Sequence, residues 1–178
     1  MIRGNQMVNI KSALNILNKL SLNNDAYRLL KYRRKIMRGG KLISYYYKIK
    51  YNKICLRNNS FIPISAQIGD NVVFPHGLAG IFISQKAILG DNCVIFHQVT
   101  IGSNNLKDSN GYGAPIIGNN VYIGAGAKII GNVKIGDNVR IGANAVIVKD
   151  IPANATVVVD NPRIILHKNG RKNKFLSI

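Results

Sequence analysis

Aliphatic residues recur every six positions along the chain from Ile62 to Val148. Three runs share this phase: Ile62, Ile68 and Phe74; Ile83, Leu89, Ile95 and Ile101; and Ile117, Ile123, Ile129, Ile135, Ile141 and Ile147. Neither a helical period of about 3.6 nor the alternation of a half-buried strand produces a strict six. A hexapeptide period is typical of parallel β-helices. The pattern therefore predicts a tube of short parallel strands whose aliphatic side chains fill the interior.

The other repeat positions agree with such a tube. A small or short-branched residue follows most of the aliphatic ones by four positions: Ala66, Val72, Ala87, Cys93, Val99, Val121, Ala127, Val133, Val139 and Ala145. We expect these side chains to fit the tighter space near the corners. Gly-Asp-Asn at 69–71, 90–92 and 136–138, and Gly-Asn-Asn at 118–120, are residue types that tolerate turns. Three hexapeptides then make one triangular coil, which buries its surface by stacking on its neighbours.

The composition divides the chain into a basic N-terminal segment and the repeats. Residues 1–60 hold 14 Lys and Arg against a single acid, while residues 61–178 hold 11 against six Asp, which together give the net charge of +18. Apolar residues at 13–20 predict a short helix. A longer helix is predicted from about Ala26 to Leu56, interrupted at Gly39-Gly40. We therefore expect a helical segment 1–60, a β-helix 61–160 and a basic tail 161–178.

Two interpretations of the basic segment are compatible. The helices either pack on the coil with a solvated basic face, which is the interpretation favoured here, or lie on an anionic membrane surface. No groove-reading or base-stacking motif supports nucleic acid as a partner. No run of eighteen apolar residues and no signal peptide occurs, so a cytoplasmic location is expected, at the inner face of the membrane if the segment binds lipid. Two cysteines do not make a disulfide framework.

The repeat is interrupted twice, and such departures from a regular pattern are candidates for function. The spacing from Phe74 to Ile83 is nine residues instead of six, with Pro-His-Gly-Leu-Ala-Gly at 75–80. The spacing from Ile101 to Ile117 is sixteen, so a polar, glycine-rich loop at 103–116 is predicted to protrude from the coil. Long surface loops of this kind are often functional.

Few residues can serve as a general base, because the chain contains no Glu and three of its Asp residues occupy turns. Histidine is the natural proton acceptor near neutral pH. His76 lies on the first interruption, and His97 follows Phe96 within a repeat. His167 lies in the basic tail, where we expect a surface residue without a role. A lone histidine is usually structural, but the combination with a broken repeat makes His76 and His97 the candidate catalytic residues.

Several segments together resemble a known enzyme family. They are His76-Gly-Leu-Ala-Gly-Ile-Phe-Ile, Val99-Thr-Ile-Gly102, Ile123-Gly-Ala-Gly-Ala-Lys-Ile-Ile-Gly-Asn132 and Ile141-Gly-Ala-Asn-Ala-Val-Ile-Val-Lys-Asp-Ile-Pro152. The chain resembles the serine acetyltransferase type of left-handed β-helix acyltransferase over roughly residues 60–165. It is similar in particular to the bacterial capsule and exopolysaccharide members, which carry a short basic N-terminus. The resemblance implies a mainly β fold, a left-handed parallel β-helix with a short α-helical N-terminal segment.

The resemblance also implies a homotrimer that binds acetyl-CoA in a groove between the coils of two subunits. His76 aligns with the family's catalytic base, which activates an acceptor hydroxyl for direct attack on the thioester. Backbone N–H groups near Gly102 are then expected to stabilise the oxyanion. No metal is expected.

Four further positions align with acetyl-CoA contacts of the family. Ala125 and Ala143 match small residues that border the pantetheine arm. Arg140 and Lys149 are weaker candidates for the CoA phosphates. Ordinary coil surface remains the competing interpretation for all four, and it is a serious one for the two cations.

Departures from the family bear on the acceptor. The serine enzymes have Asp at the position of Pro75, a His-Pro pair at Ala114-Pro115, an orienting Asp at Phe61 and Gln at His97. A zwitterionic serine needs charged partners, because an unpaired buried charge is costly. We therefore expect an O-acetyltransferase acting on a sugar hydroxyl of a bacterial surface polysaccharide or its precursor, with serine O-acetylation for cysteine biosynthesis as the alternative.

Two other classes are considered. The γ-class carbonic anhydrases resemble this fold and bind zinc through three histidines, two of them five residues apart. His76, His97 and His167 do not contain such a pair. A non-catalytic trimeric scaffold would not require the interrupted repeat at His76.

Overall fold

The computed structural model describes residues 24–160, which form two helices followed by twelve short strands. The helices are α1 (Asn24–Arg38) and α2 (Lys41–Arg57). The strands are β1 (Gln67–Ile68), β2 (Phe82–Ile83), β3 (Ile88–Leu89), β4 (Val94–Ile95), β5 (Thr100–Gly102), β6 (Ile116–Ile117), β7 (Tyr122–Ile123), β8 (Lys128–Ile130), β9 (Lys134–Ile135), β10 (Arg140–Ile141), β11 (Val146–Ile147) and β12 (Thr156–Val157).

The strands form three parallel sheets of four, which the chain visits in turn. The first sheet has the order β1-β3-β6-β9, the second β4-β7-β10-β12 and the third β2-β5-β8-β11. Strands that stack on one another are three hexapeptides apart where the repeat is regular, as in the pairing of Tyr122 with Arg140. One coil is therefore three hexapeptides, and the predicted parallel β-helix is confirmed.

The interior is built from the repeat positions that the sequence singles out. Every predicted aliphatic position is buried except Ile68, which is half-buried, and all ten predicted small positions are buried. Each two-residue strand alternates, as in β6, where Ile116 is exposed and Ile117 is buried. Burial raises the pKa of the Cys93 thiol, in keeping with a packing role in the tube.

Asparagine determines the corner between the first and second sheets. Asn71, Asn92, Asn120 and Asn138 all have φ between 56° and 58°, a left-handed conformation that Asn adopts more readily than most residues. Their side chains stack: Asn71 Nδ2 donates to Asn92 Oδ1 at 3.2 Å, and Asn120 Nδ2 to Asn138 Oδ1 at 3.2 Å. The predicted turn role of these residues is confirmed.

The helical hairpin packs against the N-terminal end of the coil, as the favoured interpretation expects. Arg33 is buried and donates to the carbonyls of Pro63, Ile64 and Ala66. The phenol of Tyr51 donates to the carbonyl of Ile62 at 2.7 Å, and burial raises its pKa, so it remains a neutral donor. The break at Gly39-Gly40 separates α1 from α2 as predicted. The helix predicted over 13–20 lies outside the described residues.

No helix within residues 24–160 combines the length and apolar character needed to cross a bilayer.

Arg33→Ala is expected to destabilise the chain by about 2 kcal/mol, because the substitution leaves buried carbonyls of the first coil without a charged donor. Arg34→Ala is the matched control, since Arg34 is the next residue of the same helix and is exposed. Urea denaturation of both variants at one protein concentration measures the difference. Equal stability of the two would show that Arg33 does not fasten the hairpin to the coil.

Candidate active site

The first interruption is a bulge on one corner of the coil. Val73 pairs with Val94 across one coil plus the inserted residues, whereas Phe82 pairs with Thr100 across one regular coil of three hexapeptides. The extra residues therefore lie between these two pairings. Gly77 and Gly80 have φ of 72° and 64°, which β-carbon-bearing residues rarely adopt. Leu78 and Ile81, both fully buried, anchor the bulge in the tube and hold the backbone beside them outward.

The bulge presents His76 directly over His97 of the next coil. The two Nδ1 atoms lie 2.9 Å apart and the ring centroids 5.0 Å apart. The Phe96 ring meets the His76 ring edge-on at 4.8 Å, and Tyr122 packs on Phe96 at 5.1 Å. His76 is exposed and His97 half-buried. The structure thus brings both predicted catalytic residues into one hydrogen-bonded pair against an aromatic wall.

Successive coils stack below this pair to form what we call the histidine corner, comprising 76–80, 96–98, 124–126 and 142–144. Gln98 N–H donates to Ala79 O at 2.8 Å, Gly126 N–H to His97 O at 3.0 Å, and Asn144 N–H to Ala125 O at 2.8 Å. Ala125 and Ala143 therefore lie on the same corner as the histidines, on the two coils that follow. Both side chains are small; Ala125 is half-buried and Ala143 is exposed.

Gly102 lies elsewhere, at the other end of β5 from His97 and on the outer face of the third sheet. It lines a cavity of about 410 Å³ together with Phe61, Phe82, Ile83, Ser84, Gln85, Lys86, Thr100, Ile101, Ser103 and Asn105. The lining combines two aromatic rings with hydroxyl and amide groups and one cation, and contains no carboxylate. Such a mixture of apolar walls and a few polar groups is typical of small-molecule sites.

The loop predicted at 103–116 leaves the coil at the far edge of the third sheet from the histidine corner. It ends at residue 115, since Ile116 begins β6. The loop has internal structure: Asn104 and Gly113 exchange backbone hydrogen bonds of 2.9 and 3.0 Å, and Asn104 Nδ2 donates to Ser109 Oγ at 2.8 Å. The loop and the histidines of one protomer therefore flank opposite edges of one sheet.

Arg140 and Lys149 are not brought together on one protomer. Arg140 lies on the outer face of the second sheet, in register with Tyr122 and Thr156. Lys149 is exposed beyond β11, at the corner between the third and first sheets. Their predicted role at the CoA phosphates stays a prediction.

Sequence reasoning did not identify three neighbours of the histidine pair. Phe96 and Tyr122 make the wall beside His76, and Lys128 Nζ donates to the carbonyl of Gln98 at 2.6 Å, next to His97. Gln98 has φ of 60°, so this lysine fastens a strained turn. Counting coils of three hexapeptides, with the two insertions added, would have placed all three near this corner.

The described part of the chain contains no cluster of potential metal ligands. Within residues 24–160, no three side chains among His, Cys, Asp and Glu lie close enough to hold an ion. His167 lies outside the described residues.

Comparison with known proteins finds relatives of the repeat region. Residues 114–149 match the family model described as bacterial transferase hexapeptide (six repeats). A serine acetyltransferase of Synechococcus elongatus is 42% identical over 106 residues, which are 60% of this chain and 42% of that protein. Serine acetyltransferase 1, chloroplastic, of Arabidopsis thaliana is 47% identical over 109 residues, 61% of this chain and 34% of that protein. The chain spans less than half the length of these relatives.

Solved structures show the same likeness. Serine acetyltransferase isoform 3 of Entamoeba histolytica, in complex with cysteine, superposes with a TM-score of 0.65 and 29% identity, covering 82% of this chain and 51% of that one. The Neisseria gonorrhoeae serine acetyltransferase in complex with serine gives 0.59 and 32%, covering 75% and 52%. The left-handed β-helix is thus confirmed. The comparisons favour serine acetyltransferases over the capsule and exopolysaccharide members that the sequence analysis placed first.

Proposed function

We propose that this protein is an acetyl-CoA-dependent O-acetyltransferase in which His76 is the general base. The observation that carries the proposal is the Nδ1–Nδ1 contact of 2.9 Å between His76 and His97, held on a bulge that forms the first of the two interruptions of the repeat. The similarity of the coil to serine acetyltransferases supports the reaction class. A purely structural histidine pair would need neither the bulge nor its exposure.

The contact restricts the tautomers of the pair. Two Nδ1 atoms at this distance share one hydrogen, so one ring donates and the other accepts. When His76 donates its Nδ1–H to His97, the Nε2 of His76 is left without a proton and can act as the base. His97 then carries its own hydrogen on Nε2. In this arrangement His97 orients His76 in the way that a carboxylate orients the histidine of a catalytic triad.

The transfer then proceeds without an acyl-enzyme. His76 Nε2 takes the proton of the acceptor hydroxyl as its oxygen bonds to the thioester carbonyl carbon. The tetrahedral intermediate collapses by breaking the C–S bond, and the imidazolium returns its proton to the leaving thiolate. The Nδ1 lone pair of His97 stabilises the imidazolium meanwhile, because a hydrogen bond to an ionised donor is stronger than a neutral one.

We propose further that the complete site lies between two copies in a homotrimer. The histidine corner and the 103–115 loop flank opposite edges of the third sheet, so the loop lies far from the corner of its own copy. It can close only the corner of a neighbouring copy, across an interface. Acetyl-CoA would lie along the histidine corner beside Ala125 and Ala143, and the oxyanion donors near Gly102 would come from whichever copy faces the thioester.

L-Serine is the acceptor that the comparisons support, since the relatives are named serine acetyltransferases. A neutral sugar hydroxyl is the second candidate, on a specific observation. The cavity that Phe61 and Phe82 line contains hydroxyls, amides and the single cation Lys86, but no carboxylate to pair with an ammonium group. Aromatic faces with neutral hydrogen-bonding groups suit a sugar ring better than a zwitterion.

The two acceptors are separated by following thiol release from acetyl-CoA with L-serine and with a panel of neutral sugars and nucleotide sugars. We expect kcat/KM for one class to exceed that for the other by at least about 100-fold, because an unpaired charge in the site costs several kcal/mol. D-Serine is the control for serine, since it carries the same charges in the wrong geometry. Release equal to the rate without acceptor in every case would contradict the proposed activity.

A further inference from the structure

Helix α2 is apolar on two opposite faces. Tyr51 and Ile54 are buried on the inner face. The outer face exposes large apolar side chains at the spacings of one helical stripe: Leu42 (88% exposed), Tyr45 (68%), Tyr46 (52%), Ile49 (52%) and Leu56 (79%). A surface helix of a globular protein normally has one apolar stripe and a polar opposite face. We call the exposed set the outer stripe, and its presence indicates that α2 has a second partner.

Cations border the outer stripe. At 3.6 residues per turn, Lys41 and Lys48 fall on one side of it and Lys50 and Arg57 on the other, while Lys53 falls within it. Lys50 Nζ also lies 4.4 Å above the ring of Tyr46. An apolar strip with lysines on both flanks is the arrangement of a helix that lies in a membrane interface, because the long side chains reach the headgroups while their stems cover apolar surface.

Helix α1 adds a cationic concavity at one end of the stripe. A hollow of about 400 Å³ is lined by Lys31, Arg34, Lys35, Arg38, Gly39 and Ile43. Ile43 directly follows Leu42, so the hollow adjoins the stripe. Residues 24–57 contain eleven Lys and Arg against Asp25 alone, and Asp25 already pairs with Arg57. The hairpin therefore presents apolar side chains and a dense, uncompensated positive charge together.

We propose that this surface of the α1–α2 hairpin docks the protein on an anionic lipid bilayer. Charge distinguishes among the partners that could cover this surface. A second copy would bring an equally basic face against this one, which is repulsive. Residues 1–23 carry Arg3, Lys11 and Lys19 and no acid, so they supply no complement either. Anionic headgroups attract each Lys and Arg near the surface, and the acyl boundary accepts the outer stripe.

Docking through the outer stripe does not involve the residues of the histidine corner. Arg33 and Tyr51 fasten the hairpin to the first coil through its inner face, so the outer stripe faces away from those contacts. The protein would then acetylate an acceptor close to a membrane, and the variants of α1 and α2 below are expected to keep their activity in solution.

Co-flotation of the full chain with vesicles tests the proposal. We expect binding to vesicles of one part phosphatidylglycerol and three parts phosphatidylcholine, little binding to phosphatidylcholine alone, and release of the bound protein by salt. The double variants Arg34→Gln/Lys35→Gln and Leu42→Gln/Ile49→Gln are each expected to lower the partition coefficient by about tenfold or more. Glutamine keeps the helix propensity of the positions it replaces.

Matched controls use exposed residues of the coil. Lys107→Gln/Lys134→Gln removes the same charge, and Leu106→Gln/Val158→Gln removes two exposed apolar side chains. Both controls are expected to partition like the unmodified protein. Equal losses in the controls, or equal binding to neutral and anionic vesicles, would overturn the proposal.

Two further outcomes would also overturn it. Sedimentation velocity in which Leu42→Gln/Ile49→Gln halves the particle mass, without vesicle binding by the unmodified protein, would assign the outer stripe to a second copy. A gel shift with single-stranded RNA that depends on Arg34 and Lys35, again without vesicle binding, would assign the cations to nucleic acid. Thiol release from acetyl-CoA, measured in parallel, keeps this proposal separate from the proposed reaction.

Discussion

His76→Ala is expected to lower kcat for thiol release from acetyl-CoA by about 100- to 10,000-fold, the range that a positioned general base contributes. The side chain is exposed on a bulge that Leu78 and Ile81 anchor, so its removal should leave the fold and the thermal unfolding midpoint unchanged. The effect should fall on kcat rather than on KM, because the proton moves only in the chemical step.

Variants of His97 distinguish a role in positioning His76 from a merely structural role. His97→Gln keeps a side-chain oxygen that can accept the Nδ1–H of His76, whereas His97→Ala removes the acceptor. We expect activity to decrease in the order unmodified, His97→Gln, His97→Ala and His76→Ala. If His76→Ala retained more than about a tenth of the kcat, the base would have to lie elsewhere and the proposed mechanism would be wrong.

The tube was predictable because a single physical requirement repeats along it. Each hexapeptide must turn one side chain inward and close one corner. The same period is therefore indicated independently by Ile123, Ile129 and Ile135. An error at one position cannot shift the period. The same reasoning explains why Ile68 is only half-buried: within the described residues, its strand β1 has a neighbour in the sheet on one side only.

The helical hairpin was predictable to within a few residues for a different reason. Two adjacent glycines interrupt a run of good helix formers, and glycine costs about 1 kcal/mol in a helix interior. The packing of α1 and α2 on the coil was only one of two interpretations, because basic residues alone do not reveal which of them is buried. Arg33 is the one that turns inward, and nothing in its local sequence distinguishes it from Arg34.

The site was predictable as a set of residues but not as a geometry. Broken repeats identified His76, and its separation from His97 along the chain is one coil of three hexapeptides plus the inserted bulge. That arithmetic places the two side chains in stacked positions only if the three inserted residues follow His76 within the bulge, which the spacing from Phe74 to Ile83 does not specify. They follow His76 because Leu78 and Ile81 re-enter the core, a tertiary effect.

The departures in sequence and the similarity in fold favour different acceptors. The similarity to serine acetyltransferases is a likeness over much of the chain, 106 residues in sequence with one relative and 75% of this chain in one solved structure. From the sequence, a few side chains are expected to recognise the acceptor, and Pro75, Phe61 and His97 differ from the pattern that the resemblance implies. The comparisons favour serine while these departures favour a neutral acceptor, so a direct kinetic comparison of acceptors decides between them.

Strand β6 offers a stringent test of the fold itself, because it places two identical residues in opposite environments. Ile117→Ala is expected to destabilise the protein by about 2–5 kcal/mol, since Ile117 is 2% exposed and its truncation leaves a cavity between stacked coils. Ile116→Ala, one residue earlier and 41% exposed, is the matched control and should change stability by only about 0.5 kcal/mol. Urea denaturation at one fixed protein concentration measures both.

The direction of this difference depends only on which side chain enters the tube. A one-residue shift of register would exchange the two environments and reverse the order of the two variants. A larger loss for Ile116→Ala would therefore contradict the assignment of every inward position in the first sheet, since Leu89, Ile117 and Ile135 are stacked in one ladder. The expected order would fix the register of the coils from which the histidine corner projects.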